Sequence, residues 1–131
     1  YAAEGASNPI QKLYVSSNTF VNTKTSGSSK GIRVLVNSDI TLINNIFSGL
    51  SQSDILIGNS LDITSENIIL ASNDFINPNN YNYKLKSSSS AIDSGIKPSN
   101  TMLIPEKEYV HIASSKIRED DGNIDFGAFE N

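Results

Sequence analysis

The sequence predicts an all-β chain coiled as a solenoid of about three stacked turns, with a C-terminal tail packed on its side. Three observations predict it. A nine-residue pattern recurs at Lys12–Phe20, Asp39–Phe47 and Asn67–Phe75: two alternating aliphatics, an Asn, and a Phe two residues later. A second strand-like segment follows each copy. Apolar residues alternate with period two, and no segment sustains a helical period. Units this thin bury an apolar face only by stacking on one another. An antiparallel sandwich also alternates, but gives no reason for a repeating Asn-x-Phe ending.

In the first copy, Leu13 and Val15 point inward ahead of Asn18 and Phe20. In the second, Ile40 and Leu42 precede Asn45 and Phe47; in the third, Ile68 and Leu70 precede Asn73 and Phe75. The spacings are 27 and 28 residues. Stacked turns place Asn18, Asn45 and Asn73 in one ladder of bonded amides, and Phe20, Phe47 and Phe75 in a second, buried one. The following strands are Ile32-Arg33-Val34, Ile55-Leu56-Ile57 and Tyr83-Lys84-Leu85, with a loop by composition at Thr23–Lys30. With Ile32, Ile55 and Tyr83 facing the core, Arg33, Leu56 and Lys84 share an outward column. The first strands present Tyr14, Thr41 and Ile69, with Ser16, Ile43 and Ala71, on a face too apolar to stay fully solvated. A tail including Tyr109-Val110-His111-Ile112 is expected to cover it. At the other limit of the stack, Leu13 and Phe20 lie at an open N-terminal end, expected to be covered by preceding turns or another copy.

The 131 residues suit one domain, with turns over 1–95 and the tail over 96–131. Hydrophobic residues are 37% and charged residues 18%, so neutral polar residues fill the gap: 21 Ser and 16 Asn. Regularly spaced Ile, 17 in all, argues against disorder. No stretch approaches a membrane span. A formal charge of −4 with scattered lysines argues against nucleic-acid binding, which needs a concentrated basic stripe. Without cysteine there are no disulfides, thiolate nucleophiles or Cys-based zinc sites. The chain starts at Tyr1 without Met or a signal-like run, as expected of a processed product or an excised piece.

After Leu85 the repeat stops. Ala91-Ile92-Asp93-Ser94-Gly95 follows Tyr83-Lys84-Leu85 and four serines, and the chain finishes with Arg118-Glu119-Asp120-Asp121-Gly122-Asn123-Ile124-Asp125-Phe126-Gly127-Ala128-Phe129-Glu130. This pairing resembles the ends of secreted bacterial right-handed parallel β-helix proteins of the pectate-lyase-like superfamily, including polysaccharide lyases of the chondroitinase B and alginate lyase type. There a Y-x-L … S-P-A-I-D-x-G segment precedes R … G-x-x-D-I-G-A-Y/F-E; Ser90 stands here where Pro is usual. The resemblance implies a right-handed parallel β-helix, a secreted or cell-surface location, and a carbohydrate-active parent protein. It identifies a terminal element and not a reaction.

Candidate chemistry is sparse. His111, the only histidine, sits between Val110 and Ile112 and reads as structural, and Ser87–Ser90 reads as a turn because no Gly-x-Ser-x-Gly surrounds it. Asp121, Asn123 and Asp125 alternate as in a calcium loop, but Phe126 occupies the position of the turn Gly and no Glu closes the loop. A structural tail is preferred, and no cofactor is expected. The basic set is Arg33, Lys84 and Lys86, with Lys30 at the edge. Arg suits bidentate carboxylate recognition, so an acidic polysaccharide is the candidate partner. The Gly31-Ile32-Arg33-Val34 run also looks like a stretch of alginate-lyase-type chains in which this arginine lies near substrate. The functional expectation is a terminal segment of an extracellular polysaccharide lyase-like protein, inactive alone. The alternative is a non-catalytic glycan-binding or self-assembling surface module.

Overall fold

A computed structural model describes residues 11–34, 38–58, 61–110, 113–119 and 121–130. The first half holds β1 (Lys12–Ser16), β2 (Thr19–Val21), β3 (Ile32–Arg33), β4 (Asp39–Ile43), β5 (Ile46–Ser48), α1 (Gln52–Ile55), β6 (Leu56–Ile57) and β7 (Ile68–Leu70). The second half holds β8 (Phe75–Asn77), β9 (Asn82–Leu85), β10 (Lys107–Val110) and β11 (Ser114–Ile117). β1 pairs with β4, β2 with β5, β5 with β7, and β3 with β6, all in parallel. β8 pairs with β9, and β10 with β11, antiparallel.

The first two sequence copies pair as their repeat implies, Leu13 opposite Ile40 and Phe20 opposite Phe47. The third does not. Ile68 lies opposite Ile46, so β7 continues the β2–β5 sheet instead of the β1–β4 sheet. Phe75 then enters a hairpin, because Pro78–Asn80 form a tight turn that ends on Tyr81 at φ 57°. Proline fixes its own φ and lacks an N–H, which suits a reversal and not a continuing strand. β9 therefore folds back on β8, and Tyr83 never stacks on Ile55. The right-handed parallel β-helix expected from the sequence is corrected accordingly, and with it the solenoid and the pectin-lyase fold. The described residues form small separate sheets of two or three strands, two of them antiparallel, and no sheet closes or runs on as a solenoid.

Sharp bends between paired strands require unusual backbone. Ser17 (φ 53°) separates β1 from β2, and Asn44 (φ 57°) separates β4 from β5. Asn tolerates the left-handed region better than most residues. Gly49 and Gly58 combine positive φ with close approach: an added Cβ would lie 2.2 Å from the Asn22 carbonyl oxygen and 2.0 Å from that of Val34. Only glycine fits.

Alternation on β5 divides the core in two. Phe47 faces a cluster of Ile32, Val34, Leu42, Ile55 and Ile63, while its neighbour Ile46 faces Leu70, Phe75, Leu85, Ala91 and Phe126. Each of the larger side chains, Ala91 aside, contributes about 1.5–3 kcal/mol when fully buried. The second cluster draws the tail in, since Phe126 and Gly127 lie against the Ile46 side of the sheet. Tyr109, expected to help cover the first strands, is instead exposed; the segment around Leu103 reaches β1, where Ser16 Oγ donates to the Leu103 carbonyl. His111 and Ile112 lie outside the described residues. No described helix is long and apolar enough to cross a membrane.

Candidate functional site

The most strongly built polar constellation joins the Ala91–Gly95 segment to the C-terminal part of the tail. Gly95 N–H donates to the Ile124 carbonyl at 2.6 Å, Phe126 N–H to the Ala91 carbonyl at 3.0 Å, and Asp93 N–H to Asp125 Oδ1 at 2.7 Å. The Ala91–Gly95 segment and the Asp125–Glu130 segment thus close on each other. Arg118, buried on β11's C-terminal side, clamps them. Its Nε donates to Glu130, and its other nitrogens donate to the carbonyls of Gly127 (3.1 Å) and Asp125 (3.3 Å). A planar fork with five donors suits this arrangement as no other side chain does.

Two buried carboxylates flank the clamp and are tuned in opposite directions. Burial pushes Glu130 above the ordinary glutamate range, although Asp125 N–H and Arg118 hold it. Burial also pushes Glu108 up, but the Glu130 N–H (3.0 Å), Lys116 (2.9 Å) and Lys84 (3.8 Å) together bring it below its usual value. Asn44 is the second joint. Its Nδ2 donates to the Ile96 carbonyl and its Oδ1 accepts from Ile96 N–H, while its own carbonyl accepts from Gly127 N–H.

These elements border a cleft of about 440 Å³. Ile104, Pro105, Ile117 and Ile124 line it with apolar surface, and Asn44, Arg118 and Glu130 are among its polar lining. Its lining carries the acidic residues Asp93, Glu106, Glu119 and Glu130 and the basic residues Lys97 and Arg118. Asn44, Arg118 and Glu130 are already bonded to the chain itself, so the arrangement holds backbone together more than it presents free chemistry.

Of the four cations singled out in the sequence, Lys30 and Arg33 lie at β3 and Lys84 and Lys86 at β9. Arg33 lies opposite Ile57 in the β3–β6 pair. Lys30 forms an ion pair with Asp54, whose pKa it lowers. Lys84 lies near Glu108 and 5.8 Å from the Phe129 ring centroid. Lys86 Nζ donates to the Asn73 carbonyl at 2.8 Å. The Arg33–Leu56–Lys84 column is absent because β9 pairs with β8 and not with β6. In the calcium-like run, Asp121 Oδ1 accepts from Asn123 N–H, whereas Asp125 is buried against Asp93. Among the described residues, no group of three His, Cys, Asp or Glu is placed to hold a metal. Ser87–Ser90 form a turn, with Ser89 N–H donating to the Lys86 carbonyl.

Sequence reasoning passed over Asn44 and the roles of Glu108 and Glu130. The Asn44-Asn45 doublet at a strand boundary was the visible signal for the first. Nothing local marks Glu108, whose partners come from β9, β11 and the tail. Compared with protein-family models, curated proteins and solved structures, the chain matches none.

Proposed function

We propose that this chain is a non-catalytic structural segment of an extracellular carbohydrate-active protein of the polysaccharide lyase-like kind. One observation carries the reading: the two segments behind the sequence resemblance, Ala91–Gly95 and Arg118–Glu130, bond to each other, and their polar side chains are used in doing so. Residues reserved for chemistry keep free donors or acceptors aimed at a substrate; Arg118, Asp125 and Glu130 instead hold backbone.

The test offers alginate, pectate and chondroitin to the isolated chain and follows unsaturated uronate by ultraviolet absorbance. No product is expected, and product formation overturns the non-catalytic assignment. Affinity electrophoresis in the same polymers at low salt supplies the second arm. Saturable binding lost in the Arg33→Ala/Lys84→Ala double variant would make the chain a glycan-binding module instead. A longer polypeptide carrying this segment that neither binds nor cleaves any such polymer would overturn the carbohydrate assignment.

A further inference from the structure

The outer edge of β1 and β2 carries a directional signal independent of the function proposed above. Asn67 Oδ1 accepts from Asn45 N–H (3.0 Å) and Asn45 Nδ2 (2.8 Å). Asn45 Oδ1 accepts in the same way from Asn18 N–H (3.0 Å) and Asn18 Nδ2 (3.2 Å). Each step of this ladder joins one oxygen to the backbone and side-chain donors of one residue on the next strand. At Asn18 the series stops: its side chain is exposed, and its Oδ1 accepts no hydrogen bond from the described residues.

The neighbouring groups stop at the same place. Gln11 and Ser17 direct their backbone groups to β4, so by alternation those of Lys12 and Tyr14 face away from it. Asn18 and Asn22 likewise bond toward β5, leaving those of Thr19 and Val21 facing away. Among the described residues, no strand pairs with this edge. The apolar layer is also incomplete here. Phe20 stacks on Phe47 at 5.0 Å and 8°, yet Phe47 is fully buried while Phe20, Leu13 and Val15 are only partly so.

We propose that the β1–β2 edge is an acceptor for one further extended polypeptide strand, laid parallel, with an Asn opposite Asn18 and an aromatic residue opposite Phe20. The ladder's polarity selects the occupant. Asn18 Oδ1 calls for a backbone N–H and a side-chain amide from one residue, which an Asn in an extended strand supplies and a glycan hydroxyl does not. Parallel strands lie ~4.8 Å apart, a spacing that sets the incoming aromatic ring on the open face of Phe20.

The test uses an end-capped peptide with the sequence of Lys12–Val21, because that segment already presents this donor pair to β5. Titrated into the isotope-labelled chain, it should saturably shift the backbone amides of Lys12, Tyr14, Thr19 and Val21 and the side-chain amide of Asn18, and slow hydrogen exchange at those four backbone amides. Peptides with Ala at the Asn or Phe position should bind ~10-fold more weakly, as should the native peptide to the Asn18→Ala chain. Absent saturation, equal binding by the Ala peptides, or shifts centred elsewhere would overturn the proposal. Sedimentation of the chain alone provides the remaining arm. Self-association that protects the same amides would make the occupant a second copy and overturn the separate-strand assignment.

Discussion

Asn45 is the position where one side chain does most to hold separate strands together. Its Nδ2 donates to the Val15 carbonyl and to Asn67 Oδ1, both at 2.8 Å, and its Oδ1 accepts from Asn18 N–H and Nδ2. The residue is fully buried. Replacing it with Ala removes these side-chain bonds, while the part-buried Val15 carbonyl keeps the Ile43 N–H of the parallel β1–β4 ladder. Asn67 Oδ1 keeps the Asn45 N–H, and Asn18 lies where water can serve it. Each lost hydrogen bond costs about 0.5–1.5 kcal/mol, and the vacated side-chain volume adds a cavity cost, so Asn45→Ala should lose about 2–4 kcal/mol. Asn18→Ala removes a bond to the same ladder at its exposed end and should lose only about 0.5–1 kcal/mol. Urea unfolding of both variants, compared at constant slope, measures the difference. Equal losses, or a near-neutral Asn45→Ala, would refute the view that burial gives the ladder its strength.

Phe47→Ala should cost about 3–5 kcal/mol by the same assay, because the ring is fully buried and stacked on Phe20; Phe20→Ala, half-buried, should cost distinctly less. Arg118→Met should cost about 3–5 kcal/mol by leaving the Glu130 carboxylate uncompensated, and adding Glu130→Leu should recover part of that loss. A double variant no more stable than the single one would show that the clamp acts through its carbonyl contacts alone. Glu108, whose folded pKa is lowered, contributes stability that is present above its unfolded value of about 4.3 and is lost as pH falls through the folded value. Glu108→Gln should therefore be less stable than wild type near neutrality and should approach it in acid, read from urea midpoints across pH; a pH-independent difference would contradict the assignment.

Local sequence determined the strands of the first two copies. Alternation at Leu13/Val15 and Ile40/Leu42 places apolar groups on one face whatever lies beyond, and the 27-residue spacing brings Phe20 onto Phe47. The third copy shows where that logic ends. Asn67-Ile68-Ile69 and Asn73-Asp74-Phe75 both resemble the earlier endings, and sequence matching favoured the copy with Phe. Packing chose Asn67, whose Oδ1 meets Asn45 while its Nδ2 donates to the Leu42 and Ile63 carbonyls. Phe75 was left to meet Tyr83 edge-on in the hairpin. Pro78 and Tyr81 decided the reversal, a turn of a few residues that strand periodicity does not register. The tail motifs were visible as residues but not as contacts, because Arg118 gains its role only when Gly127, Asp125 and Glu130 curl around it. Lys84 could be read as outward from alternation, yet Glu108, brought beside it from β10, gives it a partner. Alternation fixes which face of its own strand a side chain occupies; which surface meets that face is a long-range matter that tertiary packing alone decides.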